Sequence, residues 1–284
     1  MKADNGFRNA SLGIVWFWLF LFALLPFCLV IAASFMGHSQ QHLIELPATL
    51  ANYAKFNNGI YIKIFEKSFL IAGISTTLCL LFGYPFAYTI ARMQSSWKSF
   101  LLLLVIIPFW TSSLIRSYAL IAVIKAKGML NMLLITLGII DHPLSILFTN
   151  AAVIIGLVYN LLPFMILPIM TNVERLDTRL IDAARDLGAN RFITFRKVII
   201  PLTMPGIIAG CILVFLPAMT IFYIPDILGG AKSILLGNLI QNQFLIAENW
   251  PMGSAVSAVL TVLLATLISV YVWVTRGSKR KEWI

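Results

Sequence analysis

The chain is 284 residues long, 60% apolar and only 11% charged, with a net charge of +10 and a mean hydropathy of +0.92. Such a composition excludes an ordinary soluble domain. It requires segments that cross about 30 Å of hydrocarbon at about 1.5 Å per helical residue.

Six runs meet that requirement, at residues 12–35, 68–91, 100–124, 146–170, 205–224 and 253–274. They predict an all-α integral membrane protein with six transmembrane helices in a single domain over residues 1–284. The first run follows Lys2 and Arg8 and ends near Ala32, Ala33 and Ser34, as a signal peptide would. It is longer than a secretory apolar region and five further runs need its anchor, so it is read as a retained helix. The third run contains Pro108, Trp110 and Arg116. A cation there needs a partner or an interfacial position, and its charge opposes a polycation, so Arg116 is read as structural. Residues 129–140 are apolar but too few to span, which suggests a re-entrant or interfacial piece. Asp141 and His142 before Pro143 read as a turn. In the fourth run Tyr159 and Asn160 join Trp110 as candidates to line a pathway, although aromatics beside prolines such as Pro108 and Pro163 ordinarily pack helices at kinks.

Residues 171–201 are polar but patterned. Leu180, Ile181, Ala184 and Leu187 share one helical face, while Arg179, Asp182, Arg185 and Asp186 fill the rest. Gly188 is placed to end that helix in a left-handed conformation. Asn190 is a cap for a second helix, in which Phe192, Phe195 and Ile199 recur until Pro201 stops the pattern. The expected product is an exposed helix-turn-helix shelf.

Toward the end of the fifth run come Phe222, Tyr223 and Asp226. They share a helix face if helical geometry persists, but Pro225 removes a backbone donor and disfavours helix at Ile224. A broken helix would line a cavity; an interfacial aromatic belt with a turn aspartate is the other reading. Gly229, Gly230, Ala231, Lys232 and Ser233 miss the spacing of a phosphate loop and read as a turn.

The positive residues are distributed topologically. Fourteen of the 21 Lys and Arg fall in the two terminal segments and the second and fourth loops. That asymmetry puts both termini and the 171–201 loop in the cytoplasm, within a lipid bilayer setting and with no nucleic-acid partner. Cys28, Cys79 and Cys211 lie inside apolar runs, and His38, His42 and His142 lack further spaced ligands, so no metal site is expected. No nucleophile, metalloprotease or dinucleotide motif is present, so no catalytic residue and no bound cofactor is expected.

Asp182-Ala183-Ala184, Gly188 six residues after Asp182, then Val198, Ile200 and Pro201 resemble the EAA loop of permease subunits in type I ABC importers. Asp182 stands where the family has Glu, and Val198 and Ile200 depart conservatively from its Ile-x-Leu-Pro ending. The resemblance implies the type I importer permease fold. It also implies that residues 171–201 couple to separate ATP-binding-cassette ATPase subunits, which use ATP and Mg. Residues 107–116, 153–159 and 199–210 are similar to polyamine permeases of that family. This implies a heterodimer with a second permease, and a periplasmic binding protein that delivers spermidine or putrescine.

A polycation needs carboxylates, aromatic faces and carbonyls where it leaves water. Phe222, Tyr223 and Asp226, with Trp110, Tyr159 and Asn160, are the residues that offer them. The alternatives are a self-contained secondary transporter, a type I permease for another small solute, and a membrane-embedded enzyme. The first calls for intramembrane acids near the midplane and the last for a reactive cluster, and neither is found.

Overall fold

The computed structural model describes residues 5–38, 45, 48–93, 95–230 and 233–279. Lys2, His42, Ala231, Lys232, Arg280 and Lys281 lie outside the described residues.

In chain order the helices are α1 (Asn5–Leu19), α2 (Leu25–Ser34), α3 (Ala51–Ala54), α4 (Gly59–Ala91), α5 (Ser95–Ile106), α6 (Ser113–Ile124) and α7 (Met129–Thr136). They continue with α8 (Asn150–Glu174), α9 (Thr178–Asp186), α10 (Arg191–Thr194), α11 (Ile200–Thr220), α12 (Leu236–Leu245) and α13 (Trp250–Lys279). Among the described residues six stretches are long and apolar enough to cross a membrane: Ser11–Ser34, Gly59–Ala91, Ser113–Thr136, Asn150–Glu174, Arg191–Thr220 and Trp250–Ser269. The expected number of spans is met, but the third and fifth are assembled differently from the sequence reading.

The run at 100–124 is not one helix. It divides at a 3₁₀ turn, Ile107–Trp110, and the chain is extended at Thr111 and Ser112 before α6 begins. Pro108 sits in that turn, where its missing N–H and fixed φ suit a helix start better than a helix interior. By length and composition the third candidate stretch takes in α6 and α7, but a turn at residues 125–128, extended at Lys125 and Gly128, separates the two helices, so residues 129–136 form a short helix of their own. Gly138 ends α7 at φ +67, with Ile139 N–H reaching back to the Leu134 carbonyl. The second span also begins earlier than expected, at Gly59, which brings Lys63, Glu66 and Lys67 onto α4.

Contacts divide the chain into two units, residues 1–63 with 239–266 and residues 64–238 with 267–284. In the first, α1 and α2 meet through a π turn, Phe20–Leu24, and Ile14, Trp16, Phe17 and Trp18 are exposed, as in a helix turned toward lipid. Asn52 is buried and donates to the Ser34 and Met36 carbonyls at 3.2 and 2.8 Å, which ties α3 to the end of α2.

In the second unit α8 packs on α11, and small residues set the approach. A Cβ at Gly206 would lie 2.8 Å from the Pro168 carbonyl, and one at Gly210 would lie 2.7 Å from Met165 Sδ. These two glycines are four apart on α11, the spacing that lets membrane helices come close where apolar burial gives no preference for protein over lipid. Val153, Leu157, Met165, Ile169, Val214 and Ala218 complete a fully buried core. Tyr84 on α4 joins it through a 3.0 Å hydroxyl pair with Thr203 on α11. Lys98 on α5 pairs with Glu174 at the end of α8 at 3.0 Å.

Candidate functional site

Two regions of the second unit stand at opposite ends of α11. The first is the shelf before it. Asp177 caps α9, its carboxylate accepting from Arg179 N–H at 2.9 Å. The helix ends at Gly188, φ +82, where Gly188 N–H donates to the Arg185 carbonyl at 2.8 Å and Ala189 N–H to that of Ala184 at 3.0 Å. That pair of bonds is a Schellman closure, which needs a left-handed residue at its centre. Asn190 then caps α10, accepting from Ile193 N–H at 2.8 Å. The expected turn and cap are both observed.

One expectation for the shelf is corrected. Pro201 does not stop the second helix: α10, a π turn at Phe195–Ile199 and α11 run on as one helical stretch from Arg191 to Thr220. The wide turn lies immediately before Pro201, where a proline's missing N–H and its ring would disrupt regular α-helical bonding. The apolar residues of the shelf divide between buried and exposed positions. Ile181 and Ile199 are buried and Phe195 packs edge-on against Tyr84 and Tyr88, but Leu180 and Phe192 are exposed and Leu187 is 89% exposed. One side of the shelf thus seats on α4, and the other presents bare apolar side chains to its surroundings. Of the remaining coupling candidates, Asp182, Ala183 and Pro201 are exposed, and Ala184, Val198 and Ile200 are half-buried.

The second region is the break after α11. The helix stops at Ile221, where the backbone becomes extended, and helical geometry resumes at Tyr223 and passes into a π turn at Pro225–Gly229. Phe222 and Asp226 are exposed and Tyr223 half-buried, with the two rings edge-on at 6.0 Å. Helical geometry therefore does not persist through all three, yet Asp226 N–H still bonds the Phe222 carbonyl at 3.2 Å, keeping them within one turn.

What fixes this break is Asn238 on α12, which the sequence reading did not single out. It is 2% exposed, and its Nδ2 donates both to the Phe222 carbonyl at 2.7 Å and to the Asp226 carboxylate, while its Oδ1 accepts from Leu235 N–H at 3.1 Å. Nearby, Leu236 N–H donates to Ser68 Oγ on α4 at 2.9 Å, and Ser233 Oγ to Asn150 Oδ1 on α8 at 2.9 Å. Gly237 lies so close to the Thr220 carbonyl that a Cβ would be 2.3 Å away, so only glycine passes there. Residues this distant in sequence carry no local pattern; the one hint is an Asn and a Ser in an otherwise apolar stretch.

The other pathway candidates are not drawn to this cluster by any hydrogen bond or ring contact among the described residues. Trp110 is 85% exposed on the 3₁₀ turn and Tyr159 is half-exposed on α8. Asn160 is 3% exposed; its Nδ2 donates to the Gly156 carbonyl, and its Oδ1 has no partner among the described residues. Arg116 rests over the Phe109 ring at 5.7 Å, and Phe109 meets Phe164 edge-on. Among the described residues Arg116 has no acid within ion-pair distance, and its contact there is the aromatic face.

Comparison with known proteins decides the family. Residues 80–281 match the family described as binding-protein-dependent transport system inner membrane component. The chain belongs to this family. It is 50% identical to the spermidine/putrescine transport system permease protein PotB of Haemophilus influenzae, over 98% of this chain and 97% of that one. It is 46% identical to the protein of the same name from Salmonella typhimurium strain SL1344, over 95% and 94% of the two chains. Among solved structures, a chain of a bacterial ABC transporter involved in the import of the acidic polysaccharide alginate superposes with a TM-score of 0.77. It shares 14% identity over 96% of each chain, a likeness of fold. The protein is thus a multi-pass inner-membrane permease with the ABC importer permease fold.

Proposed function

We propose that this chain is the membrane-spanning permease subunit of an ATP-driven importer that carries spermidine and putrescine into the cytoplasm. The observation that carries the reading is end-to-end likeness to permeases named for those polyamines, at half identity in one case. The break after α11 suits such a cargo. The Asp226 carboxylate and the Phe222 and Tyr223 faces stand within one turn, and each can replace part of the hydration an ammonium loses, by about 1–2 kcal/mol per desolvated cation–π contact. Trp110, Tyr159 and Asn160 are proposed as further pathway residues. The unpartnered Asn160 Oδ1 is an acceptor held inside α8.

The chain itself hydrolyses nothing in this reading. ATP and Mg are used by separate ATP-binding-cassette subunits that dock on the shelf at Asp182, Ala183, Ala184, Gly188, Val198, Ile200 and Pro201. Exposed Leu180, Leu187 and Phe192 give that surface its apolar contacts. A second permease completes the channel, a periplasmic protein delivers the polyamine, and both termini face the cytoplasm, as the charge asymmetry favours. The test is uptake of labelled spermidine by cells that lack their own polyamine importers and express this chain with its partner subunits. ATP-dependent uptake, competed by putrescine, is expected. Absence of uptake from an assembled complex overturns the polyamine assignment.

A further inference from the structure

Arg92 follows the last turn of α4, beneath the shelf. Its guanidinium lies over the Tyr88 ring at 5.8 Å, yet Nε and Nη2 are both shut off from solvent and have no hydrogen-bond partner among the described residues. These two nitrogens are not an arbitrary pair. Their N–H bonds point in parallel along one edge of the guanidinium, the edge that grips a carboxylate through two hydrogen bonds. Leaving such a fork empty and desolvated is costly, because an aromatic face satisfies the charge in part and the donors not at all.

The fork borders a cavity of about 210 Å³ lined by Tyr88, Arg92, Thr178, Ile181, Asp182 and Arg185. Its charged lining comprises two guanidiniums and one carboxylate. That carboxylate, Asp182, is loosely engaged with Arg185 at 3.6 Å on the exposed side of α9. A net positive charge is therefore left over. The space takes one side chain rather than a nucleotide, and four of the six lining residues belong to the shelf whose outer face carries exposed Leu180 and Leu187.

We propose that this cavity is a carboxylate-binding site, and that its occupant is an acidic side chain of the ATPase subunit, seated on Arg92 through Nε and Nη2 as the shelf docks. The inference rests on the coupling reading of the shelf. Apolar contacts from Leu180 and Leu187 close around the pair and exclude water. The ion pair inside sets the register of the shelf against α4 and so ties the ATPase to a membrane-spanning helix as well as to a loop.

The experiment measures how long the ATPase stays on the purified permease complex in detergent, for the parent and for Arg92→Gln, Arg92→Lys, Asp182→Asn, Arg92→Gln/Asp182→Asn and Gly188→Val. Arg92→Gln is expected to shorten that lifetime by about thirtyfold or more, because a buried charge loses its partner. Arg92→Lys keeps the charge without the fork, perturbs the fold least, and is expected to recover only a small part of the lifetime. The double variant is expected to show the product of the two single effects. Parental lifetimes in both Arg92 variants overturn the site. So does a double variant no worse than Arg92→Gln alone, which makes Asp182 the fork's own partner, and so does a dependence on added phosphatidylglycerol that Arg92→Gln abolishes, which makes the occupant a lipid phosphate. If Gly188→Val uncouples the complex while the Arg92 variants do not, the coupling reading stands and the site alone falls. If neither variant has an effect, the coupling reading itself has failed.

Discussion

The two ends of α11 are built by different rules. At the N-terminal end, every bond that shapes the shelf joins residues at most five apart: Asp177 to Arg179, Gly188 to Arg185, Ala189 to Ala184, Asn190 to Ile193. At the C-terminal end, the break is held by bonds from Asn238 back to Phe222 and Asp226, from Leu236 to Ser68 and from Ser233 to Asn150. The hydrogen bonds of an exposed turn can come from local capping chemistry. A break in a membrane helix must satisfy its freed backbone groups from elsewhere in the chain, since lipid offers them nothing.

The sharpest way to break this comparison is at the carboxylate. Asp226→Asn is expected to lower polyamine uptake roughly ten- to hundredfold, the loss of one charged hydrogen bond of about 1.5–3 kcal/mol, with assembly intact. Tyr223→Ala is expected to act in the same direction, and Asp141→Asn in a distant turn to have little effect. Unchanged uptake in Asp226→Asn at matched protein levels would return the cluster to an interfacial role.

Asn238→Ala is the next largest. It strands the Phe222 carbonyl and Leu235 N–H at once, for about 1–3 kcal/mol each where they stay buried, so both thermal stability in detergent and uptake should fall. A variant as stable as the parent would mean that the break does not need its long-range ties.

At the other end, Gly188→Val forces a branched residue into the left-handed region. At about 1–2 kcal/mol or more, the shelf should lose its turn and transport-linked ATP hydrolysis should drop severalfold, with membrane insertion unaffected. Nothing lies within 4 Å of the position a Cβ would occupy, so the effect is one of backbone strain and not of crowding. The smallest effect belongs to Asn190→Ala, about 1 kcal/mol for a lost cap, visible as weaker coupled hydrolysis and little change in uptake per turnover.

The same contrast explains what could be read in the sequence. The number of spans followed from run length, and the Gly188 turn and the Asn190 cap followed from residue types whose backbone preferences act locally. The division of the 100–124 run after Pro108 escaped because Thr111, Ser112 and Ser113, where the backbone changes, are uncharged and too few to interrupt an otherwise apolar run. The continuation past Pro201 escaped for the opposite reason: a proline reads as a stop, and the π turn that accommodates it has no composition of its own. Phe192 and Leu187, read as part of an exposed shelf, are exposed, but periodicity did not separate them from Ile181 and Ile199, which are buried, because an exposed apolar face and a buried one carry the same residue types. Asn238 escaped because the two partners that tie it to the break lie 12 and 16 residues away.

The uninterrupted helical stretch from Arg191 to Thr220 has a mechanical consequence. Thirty residues at about 1.5 Å each make a rod of roughly 45 Å, long enough to reach from one aqueous face of a bilayer to the other. A rod is stiff along its length and soft where its backbone bonds are missing, and here Pro201, Pro205 and Pro217 lie along it with the π turn at its foot. Under the proposed coupling, a tilt applied at the shelf would meet compliance at the π turn and Pro201 and Pro205 near the foot and again at Pro217, and its lever arm is longest just where the chain leaves helical geometry.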